Sequence, residues 1–408
     1  MKLYMLFAML LYSTMNFAQT LDDYFKIAAE NNPGLQAMYK EYEAALQKAP
    51  QVNALPDPTF SFGYFISPVE TRVGPQQAKF SLTQMFPWFG TLKAQGDAAA
   101  LMAESKFQSF IDARNKLYLQ VASAYYPLYE LNEWIRIEQE NISILESYKT
   151  IANQNFKNGK GTLVDVLRVD IMLKDAQINL DILSDKEKPL LTTFNKLLNR
   201  PENEIVHISD SIIPAILADS YRKDSLIASN PKLKALDLKL QAVKATELAA
   251  HKQGLPKFGL GLDYVLVGER NDITSTDNGK DVIMPMISVS IPVFRGKYKA
   301  SVKEARLLQE SYAFQKQEVA NTLISEYEMA WFQVQQQLQL VSLYKQQVQT
   351  SEQSLNLLFT SYGNSGKEFE EVLRMQQQLL KYQKMSATAL TQYQLALAKI
   401  NYLTSKSH

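Results

Sequence analysis

Residues that could carry out acid–base, nucleophilic or metal chemistry are few in this chain. Its 408 residues include no cysteine and three histidines, His207, His251 and His408, which lie far apart in the sequence. The lack of cysteine excludes disulfides, thiolate zinc sites, a cysteine nucleophile and a lipid-modified N-terminal cysteine. Scattered histidines do not favour a metal site or a catalytic pair. The composition therefore predicts a protein that is not an enzyme and that binds no cofactor or metal.

The charge and composition limit the partners and the fold. There are 43 basic and 42 acidic residues, so the formal net charge is +1, which gives no electrostatic case for nucleic acid as a partner. Hydrophobic residues make up 46% of the chain, which is enough for a large folded structure. The 15 glycines and 15 prolines are together fewer than in an average protein of this length. Long uninterrupted elements, and helices in particular, are therefore expected.

The first residues have the pattern of a secretory signal peptide. Met1 and Lys2 form a short positive start, the apolar run Leu3–Tyr12 follows, and Phe17–Ala18 precede Gln19. This pattern predicts a signal peptide over residues 1–18, cleaved after Ala18. No later run of apolar residues is long enough for a transmembrane helix. The mature chain can therefore enter a membrane only with strands.

The chain repeats itself. Asn32–Pro33 recurs as Asn230–Pro231, and three further motifs recur in the same order with a nearly constant offset of about 200 residues. These motifs begin at Leu55, Phe86 and Phe156 in the first copy and at Leu255, Ile291 and Tyr362 in the second. We therefore predict a first structural repeat over residues 19–200, a connector over 201–220 and a second repeat over 221–408.

Each repeat is expected to contain two strands after an initial helix. Apolar and polar residues alternate over 57–67 and 76–87, and again over 256–267 and 282–293. This alternation is typical of strands with one apolar face. The apolar face could lie against lipid, or it could pack on the core of a soluble protein.

A very long helix follows each pair of strands, over residues 91–158 and 297–364. Apolar residues recur through both at alternate spacings of three and four, with exceptions such as Glu138 and Lys149. This period predicts coiled-coil packing. At about 1.5 Å per residue, each helix would be about 100 Å long. Pro127 lies inside the first helix and is expected to kink it.

A turn with two glycines is predicted at the end of each long helix. Gly159 and Gly161 lie in the first turn, and Gly363 and Gly366 lie in the second. Return helices are predicted to follow over residues 162–199 and 367–403. Each repeat therefore ends in a long helical hairpin with a free tip.

Four strands cannot close into a barrel, because the smallest closed barrels have about eight. An open sheet cannot lie in lipid either, because its edges would be unpaired. If these are membrane strands, the chain must therefore form oligomers. Two copies would give eight strands and a filled interior, whereas three copies would give twelve strands and an open lumen. With long helices attached, a trimer would be a conduit from the outer membrane into the periplasm.

Aromatic residues are concentrated where strands give way to long helices. They are Phe86, Trp88, Phe89, Phe294 and Tyr298. An aromatic girdle at the membrane interface would lie at these positions. Ordinary core aromatics would also explain them.

Several features together resemble the TolC family of outer-membrane efflux proteins. They are the duplication, the Asn-Pro of each repeat, the junction Phe86–Leu92, the segment Val164–Leu167 after the first turn, and Leu197–Pro201. The resemblance covers nearly the whole mature chain. It implies a mainly α fold of duplicated coiled-coil hairpins, with four strands per chain in a trimeric twelve-stranded outer-membrane β-barrel. It also implies a periplasmic tunnel docked to a periplasmic adaptor (a membrane fusion protein) and an inner-membrane pump.

The resemblance also implies a constriction near the hairpin tips. The family narrows its periplasmic end with acidic residues, and the matching positions are Asp165 and Glu371. One turn later stand Arg168 and Arg374, which departs from the family pattern and suggests carboxylate–arginine pairs that hold the closed state. Each pair could instead be an ordinary solvated i,i+3 contact. The tips, with Gly159, Gly161, Gly363 and Gly366, are the expected adaptor contacts.

Three functions remain open at this point. The first is an outer-membrane exit duct for efflux, and the junction Phe86–Leu92 resembles the branch that serves heavy-metal cations. The second is the exit duct of a one-step protein secretion system. The third is an exported coiled-coil scaffold or adhesin whose strands pack on a soluble core. No feature of the sequence decides among cations, drugs and proteins as cargo.

Overall fold

The computed structural model describes residues 20–208, 212, 227–272, 274, 276–365 and 369–405. The predicted signal peptide and part of the predicted connector lie outside these residues, as do Gly366 and His408. The chain divides into two compact units, each with parts of both repeats. The first unit comprises Met1–Ala37, Ile111–Asn230 and Ala320–His408, and the second comprises Met38–Phe110 and Pro231–Val319.

The prediction of a mainly helical chain with four strands is confirmed. In chain order the described elements are α1 Leu21–Asn31, α2 Pro33–Leu46, α3 Lys48–Asn53, β1 Thr59–Val69, β2 Gln76–Phe86, α4 Thr91–Lys157, α5 Leu163–Leu197, α6 Pro231–Gln253, β3 Lys257–Val267, β4 Val282–Ser290, α7 Gly296–Ser365 and α8 Phe369–Thr404. None of the described helices has a stretch both long and apolar enough to cross a membrane.

Two strand limits lie near prolines. β1 begins at Thr59, directly after Pro58, rather than at residue 57, and β4 ends at Ser290 rather than at residue 293. Pro68 and Pro285 lie inside β1 and β4. A proline has no backbone N–H to donate, and it is tolerated there because β1 and β4 are the outer strands of the sheet.

Helix α4 continues on both sides of Pro127. A proline removes one hydrogen bond from the interior of a helix, which is why a kink was expected. Tyr125 and Leu128 on either side of it are buried. Their packing offsets the lost hydrogen bond, and the helix is not interrupted at Pro127.

Helix α7 also runs further than predicted. It ends at Ser365, so Gly363 lies in its last turn and not in the loop after it. Tyr362 is buried, and its ring centroid lies 4.5 Å from that of Phe369 in a stacked arrangement. A glycine costs a helix only about 1 kcal/mol, and the stacked pair offsets this.

The repeated Asn-Pro motif has the same structural role in both repeats, and all of its contacts lie in the first unit. In the first repeat Asn32 Oδ1 accepts a hydrogen bond from Leu35 N at 3.1 Å and caps the start of α2. Its Nδ2 donates to the carbonyl of Leu197 at the end of α5, at 3.0 Å. In the second repeat Asn230 Nδ2 donates to the carbonyl of Leu403 near the end of α8, also at 3.0 Å.

The proline completes the motif because it suits the first position of a helix. Each asparagine therefore ties the start of its repeat to the end of the return helix of the same repeat. This explains why the motif occurs twice at matching positions.

The second unit contains one antiparallel sheet with strand order β1-β2-β3-β4. The central pair, β2 and β3, joins the two repeats, with Phe80 opposite Tyr264 and Phe86 opposite Phe258. β1 and β4 are the outer strands, and each has one neighbour in the sheet.

Replacing Asn230 by alanine should lower the free energy of unfolding by about 1–3 kcal/mol, because the buried carbonyl of Leu403 would lose the hydrogen bond from Nδ2. The side chain of Asn230 is 1% exposed. Loss of helical circular dichroism on heating the purified protein measures this change. Asn31→Ala is the matched control, because Asn31 is exposed and its side chain donates to Ile27 of its own helix. Equal transition temperatures for the two variants would contradict this role of the motif.

Candidate functional site

One face of the sheet is apolar across all four strands. One row runs from Phe62 through Phe80 and Tyr264 to Ile283, and the pairing of the strands fixes this order. Much of this face is exposed in the single chain, and Ile66 and Ile287 are 92% and 80% exposed. A patch of this size on a folded chain indicates a surface that is covered by lipid or by protein.

The opposite face of the sheet is more polar, with small and polar side chains interspersed with apolar ones such as Met85, Val265, Met284 and Met286. Ser61, Ser81 and Asp263 lie opposite one another in one row, and Gly259 and Ser288 face each other in another. Asp263, which is buried, forms an ion pair with Lys79 across β2 and β3. This face can lie against water, whereas the other can lie against hydrocarbon.

The sheet does not close on itself within one chain. β1 and β4 are separated by the two central strands, and each presents one edge without a neighbouring strand among the described residues. The backbone groups on these edges can pair with a further strand. The sheet can therefore be extended at both sides by other copies of the chain.

Some of the predicted aromatic residues cluster around Phe258, and some are exposed. The rings of Trp88 and Phe89 lie 5.8 and 6.5 Å from Phe258, which faces Phe86 in the sheet. Phe89 and Phe294 remain mostly exposed.

Tyr298 lies near the start of α7, under the ammonium of Lys297 at 4.9 Å. Phe258 is the centre of the aromatic cluster, and its place there follows from the pairing of β2 with β3, which no repeated motif indicates.

The turn between α4 and α5 is built by its glycines and by a helix cap. Gly159 has a φ of +70°, a conformation that favours glycine. The amides of Lys160 and Gly161 both donate to the carbonyl of Asn155, at 2.9 and 3.1 Å. A Cβ on Gly161 would lie 3.2 Å from that of Asn155. The turn is therefore tight at both glycines.

Asp165 forms a capping box at the start of α5. Its Oδ2 accepts hydrogen bonds from the backbone N and Oγ1 of Thr162 at 3.0 and 2.8 Å, and its own amide donates to Thr162 Oγ1. The carboxylate thus gives a partner to the backbone N–H of Thr162, at the N-cap of α5. The pair that the sequence placed between Asp165 and Arg168 is not the contact in the structure.

Arg168 instead joins the two hairpins. Its Nη1 lies 2.8 Å from Oε2 of Glu370 in the first turn of α8, so the pair connects α5 to α8. Arg374 pairs with Glu371 within α8, as the i,i+3 spacing suggested. Of the two arginines, Arg168 makes the contact between hairpins and Arg374 a local one.

An aromatic core lies beneath this end of the hairpins. Tyr148 of α4 stacks on Phe359 of α7 at 5.3 Å and meets Phe369 of α8 edge-on at 6.2 Å. Burial raises the pKa of Tyr148 to about 12. Leu145, Val169 and Val372 belong to the same buried cluster. All four long helices therefore contribute to the core that positions the tip residues.

Polar residues interrupt the apolar stripe of α4 where they meet partners on other helices. Lys149 binds Asp170 of α5 at 2.5 Å, and Lys174 approaches the same carboxylate at 3.3 Å. The hydrogen bond from Lys149, aided by Lys174, lowers the pKa of Asp170 below its usual value.

Glu138, which is buried, forms an ion pair with Lys384 of α8, and Gln376 of α8 donates to Asn141 at 3.2 Å. Glu138 and Lys149 could be recognised in the sequence, because they are charged residues at positions where the three-and-four spacing of α4 otherwise places apolar ones. Their partners on α5 and α8 could not be named before the helices were packed together.

The model of the outer membrane efflux protein family matches residues 25–187 and 224–405, which is most of the chain. No curated protein has a significant match to it in sequence.

Solved structures with the same fold include three outer-membrane proteins. The channel OprN has a TM-score of 0.77 and 17% identity, over 95% of this chain and 90% of that one. VceC from Vibrio cholerae has a TM-score of 0.74 and 17% identity, over 94% and 96%. CusC has a TM-score of 0.73 and 13% identity, over 94% and 91%.

The ion pairs of Asp170 should make the stability of the first unit depend on acid pH. Because the folded state lowers the pKa of Asp170, its contribution is complete above the unfolded pKa of about 3.9. It is lost as the pH falls through the lower folded pKa. Asp170→Asn should therefore lower the transition temperature at pH 7, with a deficit that shrinks below about pH 4. Asp181→Asn, at an exposed site on the same helix, is the control. A deficit for Asp170→Asn that stays constant down to pH 2 would rule out this linkage.

Proposed function

Because this chain belongs to the outer membrane efflux protein family, we propose that three copies of it form the outer-membrane exit duct of a tripartite efflux system. Its location is the outer membrane. The resemblance to the TolC family expected from the sequence is confirmed. What we propose is the number of copies in the duct, its docking partners and its cargo.

The observation that carries the proposal is the open sheet with one exposed apolar face and one more polar face. Every backbone group of a strand in lipid must be paired, so the edges of β1 and β4 must find other strands. Three copies give twelve strands and leave an open lumen, whereas two copies give eight strands with a filled interior. In the trimer the apolar face contacts outer-membrane lipid, and the face with Gly259 and Ser288 lines water.

The aromatic residues Phe86, Trp88, Phe89, Phe294 and Tyr298 then form a girdle at one border of the apolar face. Phe89 and Phe294 are 78% and 87% exposed in the single chain. Their exposure fits an interfacial position, where aromatic rings are favoured.

The end with the hairpin turns is proposed as the gate. Arg168 and Glu370 hold α5 and α8 together in each protomer, and Glu371, paired with Arg374, lies on the same turn of α8. Three copies would bring several carboxylates around one opening, which would favour cations. Asp165 contributes its charge to this end while it caps α5.

The turn with Gly159 and Gly161, and the residues near Gly363 and Gly366, are proposed to dock a periplasmic adaptor. The adaptor would connect the duct to an inner-membrane pump that supplies the energy. Heavy-metal cations are the proposed cargo, because the junction Phe86–Leu92 resembles that branch of the family.

Cysteine pairs test the trimer directly, because the chain has no cysteine of its own. We expect Ser61→Cys on β1, combined with Ser288→Cys or Ser290→Cys on β4, to crosslink under oxidation into dimers and trimers and no larger species. Denaturing gel electrophoresis measures the products. The control pairs Ser81→Cys, on the central strand β2, with Ser288→Cys, and should stay monomeric. A protein that remains monomeric for every β1–β4 pair, and that stays in solution without detergent, would refute the duct.

The gate is tested by comparing the two arginines. Removing the contact between hairpins in Arg168→Gln should shift the gate toward the open state by about 1.4- to 5-fold for each pair lost, since an exposed ion pair contributes about 0.2–1 kcal/mol. Arg374→Gln removes only a contact within α8 and should leave the gate unchanged. Single-channel recording in planar bilayers measures the open fraction. An equal response of the two variants would argue against Arg168–Glu370 as the closing contact.

A further inference from the structure

Basic residues are concentrated in the second unit where strands and helices meet. Four segments, 48–57, 87–97, 247–257 and 291–306, together hold nine lysines and arginines and four acidic residues, in a chain whose net charge is only +1. We call these segments the basic junction. A local excess of this kind needs an anionic partner or costs stability through self-repulsion.

A cavity of about 650 Å³ opens within the basic junction. Lys252, Lys257 and Lys297 line it together with Trp88 and Tyr298. Asp57 is the acidic residue among its lining side chains. One of the lysines is partly engaged, because Lys252 Nζ donates to the carbonyl of Phe89 at 3.1 Å. The cavity therefore keeps an excess of positive charge.

A second observation points to an anion in the same cavity. Thr91, the first residue of the 67-residue helix α4, lines the cavity and is 3% exposed. Its Oγ1 is buried without a hydrogen-bond partner among the described residues. The start of a long helix also carries partial positive charge, although the amides of Thr91 and Ala94 are already paired with the carbonyls of Trp88 and Gly90. The buried hydroxyl is available to donate to an oxygen of an anion in the cavity.

The cavity adjoins the apolar face of the sheet. Trp88, which lines it, lies 5.8 Å from the ring of Phe258, and Phe258 stands between Phe86 and Val289 in the last row of that face. A molecule in the cavity could therefore place an anionic group among the lysines and an apolar part along the sheet. A free inorganic anion would use only the first of these surfaces.

A neighbouring cavity of about 550 Å³ continues the basic surface on the other side of Tyr298. Arg295, Lys299, Lys303 and Arg306 line it. Arg306 is already paired, at 2.8 Å, with Glu247. Arg295, Lys299 and Lys303 extend the positive charge of the first cavity to the second.

We propose that the cavity lined by Lys257, Lys297 and Thr91 binds the phosphate of an anionic phospholipid from the inner leaflet of the outer membrane. The lysines supply the charge and Thr91 donates its hydroxyl. Trp88 packs against the glycerol region, and the acyl chains lie on the apolar face beyond Phe258. The inference rests on the proposed position of the sheet in the bilayer.

Native mass spectrometry of the full protein in detergent tests the proposal, with dioctanoyl phosphatidylglycerol as the probe and dioctanoyl phosphatidylcholine as its zwitterionic counterpart. We expect phosphatidylglycerol to bind more tightly, and Lys257→Gln with Lys297→Gln to weaken it at least about tenfold. Thr91→Val should also weaken it, without a change in charge. Lys188→Gln with Lys345→Gln makes the same change in charge at exposed sites elsewhere and should have no effect.

Three results would overturn the proposal. They are equal binding of the two lipids, unchanged binding of phosphatidylglycerol by the Lys257/Lys297 and Thr91 variants, and inorganic phosphate that displaces the lipid at equal concentration. The last would indicate a site for a free anion. The same spectra report the oligomeric state. Loss of lipid selectivity in an intact trimer therefore refutes the lipid site and leaves the proposed duct standing.

Discussion

The pairing of backbone hydrogen bonds is the constraint on which this structure depends most. The chain has four strands, and their order leaves β1 and β4 with open edges. One face of the sheet is apolar and largely exposed, so in lipid those edges cannot be satisfied by water. The single chain is therefore incomplete as a membrane structure. Duplication gave the chain four strands instead of two, and the β2–β3 pair joins them in one sheet. Pairing of the two outer edges requires strands from other copies of the chain.

The helices of the first unit solve a different problem, which is how to fix the position of long elements that apolar packing alone would leave free to slide. Glu138–Lys384 and Lys149–Asp170 each occur where a charged residue interrupts the apolar stripe of α4. Glu138 is buried, whereas Lys149 and Asp170 are partly exposed. A polar contact between helices is satisfied in one register only, and so it can select that register, at some cost in stability where it is buried. Arg168–Glu370 extends the same principle to the exposed end of the hairpins.

The two repeats share their framework and differ at their ends. Both use an Asn-Pro to tie the first helix to the last. The first tip is a tight turn with Gly159 at positive φ, whereas α7 continues through Gly363 to Ser365. The strand-to-helix junctions differ as well, since Phe86–Leu92 is rich in aromatic residues and 291–306 carries five of the nine cations of the basic junction. Duplication thus supplied the architecture, and divergence at the ends supplied the surfaces that we propose to meet lipid and partners.

The sequence by itself determined the duplication, the helices, the four strands and the family, because periodicity and repeated motifs are local properties of the chain. It also placed the carboxylates and arginines near the tips, and the aromatics at the junctions. The tertiary structure alone decided the partners. Arg168 lies against Glu370 on another hairpin, and Phe258 lies at the centre of the aromatic cluster. The capping box of Thr162 and Asp165 is by contrast a local i,i+3 pattern that the sequence already contains. Thr91 and three lysines came to line one cavity although more than 200 residues separate Thr91 from Lys297. Such contacts depend on how distant segments pack, and no spacing along the chain encodes them.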